Sequence, residues 1–166
     1  MMTRRYPVGI QTFSEIIRGG YVYVDKTDLV WQLVHYPKYI FLSRPRRFGK
    51  SLLTSTLESY FRGERELFEG LKIMELEQQW EQYPVIRLDI SSAKAQPTAD
   101  ALRARLMLML KPYAKVYGKE EEEQTPGGLL EGIIQRAYEM TGKQVVKVGV
   151  KFNAETRVPE DWVIAG

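Results

Sequence analysis

YIFLSRPRRFGKSLLTSTLESYF, residues 39–61, sets an apolar run, a basic turn and a helical repeat in direct succession. Residues 39–42 are aromatic and aliphatic, the composition of a buried strand. From Ser51 onward, Leu52, Leu53, Leu57, Tyr60 and Phe61 recur at helical spacing until Gly63 ends the pattern. A turn between a strand and a helix is a natural anion site. Backbone N–H groups can wrap a phosphate there, and the helix N-terminus adds the positive end of its dipole. Gly49-Lys50-Ser51 matches the close of the pattern G-x-x-x-x-G-K-[ST]. In that role Gly49 gives the backbone close approach, Lys50 reaches the terminal phosphates and the Ser51 hydroxyl ligates magnesium.

The front of the turn departs from this pattern. Arg44 stands where the first glycine belongs, and Pro45 has no N–H to offer. Arg46 and Arg47 can replace lost backbone donors with guanidinium forks that suit phosphate. Residue chemistry alone therefore leaves two readings open: a phosphate loop, or a basic surface turn that happens to carry Gly-Lys-Ser.

Around this stretch, strands and helices alternate. A helix is expected over residues 12–18, stopped by Gly19-Gly20, and a strand over 21–24, where aromatic and β-branched residues concentrate. A second helix, 28–35, is capped by Asp25 or Thr27 and ends near His35, which is expected at the surface. After the loop helix come a helix from Glu64 to about Trp80 and a buried strand, PVIRLDI, at 84–90. Long helices at 98–116 and 129–140 follow, with the Met107, Leu108, Met109 cluster as core filler. A last strand is expected over 144–152. This order argues for an α/β fold with a mainly parallel sheet flanked by helices.

Composition narrows the chemistry. The 166 residues suffice for one core, with 44% hydrophobic and 27% charged residues. No cysteine is present, so there is no disulfide framework or thiolate site, which fits a cytoplasmic protein. A single histidine leaves little room for a histidine metal centre or a serine–histidine relay. The apolar runs are too short to span a bilayer, and no apolar stretch follows the N-terminal arginines as a secretory signal requires. The net charge of +3 is mild, but Arg44, Arg46, Arg47 and Lys50 are concentrated within one turn. The acidic run Glu120 to Glu123 reads as a solvated loop.

PVGIQTF (7–13), YVDKT (23–27), FLSRPRRFGKSLL (41–53), LFEGL (67–71) and PVIRLDIS (84–91) together resemble the AAA-ATPase-like family of bacterial and archaeal proteins. The resemblance covers roughly residues 6–146. In that family Arg44 belongs to the loop. The resemblance implies a P-loop NTPase fold with ATP and Mg2+ as ligands. Arg44, Arg46, Arg47, Phe48, Gly49, Lys50 and Ser51 would contact the nucleotide, and Ser51 would also contact the metal. Family members usually continue into a nuclease-like domain of the PD-(D/E)XK type.

One element of the family is missing. After LLEGIIQRAYEMTGKQVV the family has an apolar strand ending in acidic residues, which supports the metal and activates water. Here Val145-Val146 runs into Lys147-Val148-Gly149-Val150-Lys151-Phe152, with no acidic pair. The segment 147–166 instead resembles the end of the nuclease-like domain. This makes the chain an incomplete P-loop NTPase fold over 1–146 joined to a short tail, through an internal deletion or through divergence in place. ATP binding with little or no hydrolysis is the expected function. Asp89, at the end of PVIRLD, is a second candidate for contact with the metal or its waters. The alternative is a nucleic-acid or partner-binding module using the basic loop from Arg44 to Lys50. A sheet left with an open edge would favour a homo-oligomer.

Overall fold

The computed structural model describes residues 4–35, 39–40, 49–89, 98–150 and 164–165. Six helices and four strands follow in the order α1 (Phe13–Arg18), α2 (Thr27–His35), β1 (Tyr39–Ile40), α3 (Lys50–Phe61), α4 (Ile73–Leu76), β2 (Val85–Asp89), α5 (Ala99–Tyr117), α6 (Pro126–Thr141), β3 (Val146–Val150) and β4 (Ile164–Ala165), among the described residues. A 3-10 turn, Arg65–Phe68, sits between α3 and α4. The sheet order is β1-β4-β3-β2. β2 and β3 pair in parallel, from Val85 opposite Val146 to Asp89 opposite Val150. β4 is antiparallel to both β1 and β3. Three strands therefore run one way and one runs against them, an α/β arrangement with a mixed sheet.

β2 and β3 have helices on both faces. Val85, Val146 and Val148 pack with Leu57 and Phe61 of α3, Phe13 of α1, Phe68 and Ile73. Ile86 and Leu88 turn the other way, joining Leu110 of α5 and Leu129, Ile133 and Ala137 of α6. This period-two division is what a strand covered on both faces requires, and it explains why PVIRLDI is a nearly continuous apolar run. The long helices have defined starts. Thr98 Oγ1 accepts the Ala101 N–H at 3.2 Å and Thr125 Oγ1 accepts the Gly128 N–H at 3.1 Å, with Pro126 at the first helical position. Met107 and Met109 pack against the second core as expected, but Leu108 does not: it lies between them on the outer side of α5 and is 58% exposed. No helix among the described residues is long and apolar enough to cross a membrane.

Two sequence expectations are corrected. Residues 21–24 are extended but form no strand. Gly20, at φ +64°, turns the chain back over α1, so the Tyr21 N–H bonds Ile16 O at 3.0 Å and the Val22 N–H bonds Arg5 O at 2.9 Å. The aromatic character of this stretch serves packing instead: the Tyr23 ring meets Phe13 edge-on at 5.3 Å. The expected helix from Glu64 to Trp80 is broken into the 3-10 turn and the four-residue α4. Gly70 adopts φ +76° between them, and Glu77 is extended, so the helical pattern cannot propagate through either.

The outer edge of β2 is closed at its midpoint. Tyr113 of α5 accepts the Arg87 N–H at 2.8 Å through its hydroxyl, which in turn donates to Arg87 O at 3.3 Å. Burial raises the Tyr113 phenol above its usual range, so the hydroxyl remains a donor. Tyr113→Phe leaves both backbone groups without this partner. It is expected to lower the unfolding free energy by about 1–3 kcal/mol in urea titrations. An unchanged midpoint would show that the bond contributes nothing.

Candidate functional site

The end of the basic turn lies at the start of α3. Gly49 is the N-cap, in the left-handed region at φ +77°, and its carbonyl accepts the Leu53 N–H at 2.9 Å. Glycine has no side chain with which to cap the helix, and no acidic residue occupies the first turn. The amide end of the dipole thus meets no negative side chain from its own first turn. Lys50 and Ser51, both half-buried, open the helix. Arg44, Arg46, Arg47 and Phe48 lie outside the described residues, so the structure brings together Gly49, Lys50 and Ser51 from the expected set.

The direction of α3 places this end relative to the sheet. Phe61 O, at the C-terminus of α3, accepts the Tyr83 N–H at 2.7 Å, just before β2 begins. One turn earlier, Glu58 Oε2 lies 2.9 Å from Arg87 Nη1 at the middle of β2. α3 therefore runs antiparallel to β2, and its N-terminus lies toward the carboxyl end of that strand, where Asp89 stands. Open α/β sheets bind ligands at this end. Asp89 is paired in register with Val150 of β3. β3 ends at Val150 without a carboxylate.

Much of the remaining sequence signature supports α3 and its neighbours. Ser55, buried in α3, accepts the Phe13 N–H at 2.9 Å and donates to Leu52 O at 2.9 Å. The Phe13 N–H begins α1 and has no partner within its own helix, so a side chain of α3 caps α1. Phe13 also packs against Phe68 at 4.8 Å, which brings the PVGIQTF, YVDKT and LFEGL stretches to one aromatic cluster behind α3. Burial pushes the Tyr23 phenol up to about 12, against a hydrogen bond with Thr56 of α3. Sequence reasoning missed Ser55. The available signal was the hydroxyl run Thr54-Ser55-Thr56 inside an otherwise apolar helix face.

Asp25 receives a specific role. Its Oδ1 accepts the Thr27 N–H at 2.9 Å and the Thr27 hydroxyl at 2.7 Å, and Oδ2 accepts the Lys72 N–H at 2.8 Å. Thr27 Oγ1 in turn accepts the Ile73 N–H at 3.1 Å. One carboxylate thereby caps α2 and ties it to the start of α4. Burial opposes its charge, but the Thr27 and Lys72 donors outweigh burial and hold the carboxyl below its usual range. His35 ends α2 as a surface residue, 41% exposed, with Nδ1 on Trp31 O at 2.8 Å and Nε2 3.6 Å from Glu77. Glu77 is buried and accepts the Tyr60 hydroxyl at 2.5 Å, fixing the last turn of α3 to the segment after α4.

The acidic run is only partly solvated. Glu120, Glu121 and Glu122 are exposed, but Glu123 Oε1 and Oε2 take a bidentate clamp from Arg136 at 2.7 and 2.9 Å. Arg136 also donates to Tyr117 O and Gly118 O, closing the C-terminus of α5. This correction follows from α6, which delivers a guanidinium to that helix end.

Two outcomes check these assignments. Gly49→Ala places a Cβ in the left-handed region and should cost about 1–2 kcal/mol, read from the urea midpoint. An unchanged midpoint would show that α3 does not need this conformation. Asp25 has a depressed folded pKa, so its contribution is full above the unfolded value near about 4 and is lost as pH falls through the folded value. Asp25→Asn should therefore flatten the acid limb of a stability–pH curve below about pH 4. Superimposable curves would remove Asp25 from acid unfolding.

The comparisons with known proteins fall on this same framework. The family described as predicted AAA-ATPases matches residues 7–148, from the segment before α1 into β3. A protein of Azotobacter chroococcum mcd 1, described as an uncharacterized protein in the vnfD 5' region, is 33% identical over 147 residues, which is 88% of this chain. The chain spans 28% of that relative's length. No solved structure matches. With the match running through α1, α3 and β2 and into β3, the chain belongs to the AAA-ATPase-like family.

Proposed function

We propose that this chain is an ATP-binding P-loop module that holds the nucleotide with Mg2+ and hydrolyses it little or not at all. The observation that carries this reading is Gly49-Lys50-Ser51 at the N-terminus of α3, with a left-handed glycine and no acidic side chain in the first turn. The donor set fits the ligand. First-turn N–H groups and Lys50 suit phosphate oxygens, Ser51 suits a hard cation, and the loop residues Arg44, Arg46, Arg47 and Phe48 complete the contacts. When bound, Mg2+ neutralises charge on the phosphates. Lys50 and Ser51 orient the terminal phosphates at the carboxyl end of the sheet.

The lack of turnover rests on β3. Its sequence, Val146-Lys147-Val148-Gly149-Val150, ends without a carboxylate to orient water or support the cation shell. Loss of such groups commonly removes several kcal/mol of transition-state stabilisation. Asp89, at the carboxyl end of β2, takes that role in part as a contact for the cation's waters. The same proposal reads residues 147–166 as the end of a nuclease-like region, joined to the ATPase part by loss of what lay between.

Calorimetry with Mg-ATP tests binding. Lys50→Ala should weaken affinity at least about tenfold, since a charge-assisted phosphate contact is removed. Asp89→Asn should reduce the magnesium dependence of binding with a smaller loss. Equal affinity for wild type and Lys50→Ala would rule out the loop, and turnover well above the uncatalysed rate would overturn the hydrolysis claim.

A further inference from the structure

One ion pair joins the helix that opens with Lys50 and Ser51 to the strand that ends in Asp89. Glu58 Oε2 of α3 lies 2.9 Å from Arg87 Nη1 of β2, with the two side chains 14% and 24% exposed. The other carboxylate oxygen is held as well, since Oε1 meets Arg62 Nη2 at 2.8 Å. Arg87 is fixed from a second side, where its backbone N–H and C=O both bond the Tyr113 hydroxyl of α5. Arg87 is thus pinned between two helices, unlike one arm of a mobile surface pair.

Position along the two elements gives this contact a consequence. Ser51 precedes Glu58 by seven residues, two helical turns, so it shares a face of α3 with Glu58 and lies about 10.5 Å nearer the N-terminus. Asp89 follows Arg87 by two residues. Strand alternation puts position 89 on the same face of β2 as position 87, about 6.6 Å nearer the carboxyl end. Because α3 and β2 run antiparallel, both steps lead the same way from the Glu58–Arg87 contact. Ser51 and position 89 then fall at nearly one level, offset by about 4 Å along the seam of helix and strand. Thr54 lies between Ser51 and Glu58 on that face and donates its hydroxyl to Ser51 O at 2.9 Å, which stiffens the intervening turn. A slip of one helical turn would move Ser51 about 5.4 Å relative to the strand end.

We propose that the Glu58–Arg87 pair is a strut that sets the end of β2, at Asp89, against the first turn of α3, at Ser51. Arg87 is then a positioning residue for the cation that accompanies the nucleotide, an inference that rests on the Mg-ATP reading above. The charges of Glu58, Arg62 and Arg87 are engaged with one another, so the pair acts through geometry alone.

The chain has no cysteine, so Ser51→Cys and Asp89→Cys alone place two spin labels. Dipolar EPR on this labelled chain, without nucleotide, should give one narrow distance distribution. Arg87→Met keeps an apolar stem and leaves Glu58 with Arg62, so it should fold, which thermal melting verifies. It should broaden the distribution, and Arg87→Lys should largely restore it. In calorimetry on the unlabelled chain, Arg87→Met should reduce the gain in ATP affinity given by Mg2+ about threefold or more, with affinity in EDTA unchanged. In an Asp89→Asn background the same substitution should cause no further loss, because its effect passes through position 89. An unchanged distance distribution in folded Arg87→Met would overturn the proposal. So would equal losses with and without Asp89→Asn, the mark of a general weakening of the fold. Equal Mg-ATP affinity in wild type and Lys50→Ala would remove the nucleotide reading instead, and the distance measurement alone would then decide the strut.

Discussion

The hydrogen bond from the Phe13 N–H to Ser55 Oγ joins the segment before the sheet to the helix that follows the basic turn. It is buried, spans 42 positions in sequence and satisfies an N–H that α1 cannot satisfy itself. Around it Phe13, Tyr23 and Phe68 close one side of α3, while Val85, Val146 and Val148 close the other. α3 is thereby fixed on both sides before its N-terminus meets any ligand. A phosphate site at a helix end works only if that end is held still, because the N–H groups must already point at the charge.

The same logic explains why so many signature stretches lie away from the turn. YVDKT places Asp25 and Thr27, which lock α2 to the start of α4, and LFEGL supplies Phe68 and the left-handed Gly70 that lets the chain turn into α4. Among the described residues, these side chains do not touch the proposed ligand site; they hold its support. Polar side chains in this support are bonded to backbone donors of distant segments, so each would cost more to remove than its own bond is worth.

The sequence made much of this legible where local rules decide. The apolar run of β2 and the helical repeat of α3 could be read because each depends on neighbours within a few residues, whereas the Thr125 cap was missed and α6 starts three residues before the expected Leu129. Reading failed where the partner is far away. Residues 21–24 have the composition of a strand, but they have no sheet neighbour, since Gly20 sends them over α1. Residues 64–80 have helical content, but Gly70 and the Asp25 contact to Lys72 break it. The start of α3 was legible, with Gly49, Lys50 and Ser51 where the pattern put them. Asp89 was also named from the sequence, and strand pairing, which no window of sequence shows, sets it opposite Val150 at the carboxyl end of β2.

Strand pairing also decides which backbone groups β2 turns outward. In a parallel pair each strand offers alternate backbone groups to each side. β2 uses one set on β3, as the Val146 N–H to Pro84 O bond at 2.9 Å begins, and turns the Arg87 groups outward to Tyr113. The carboxyl end of β2 leads toward the α3 N-terminus, and the Glu58–Arg87 ion pair fixes the middle of that strand against the helix. The register between α3 and β2 is therefore set away from the turn, by groups that take no part in the proposed phosphate contacts.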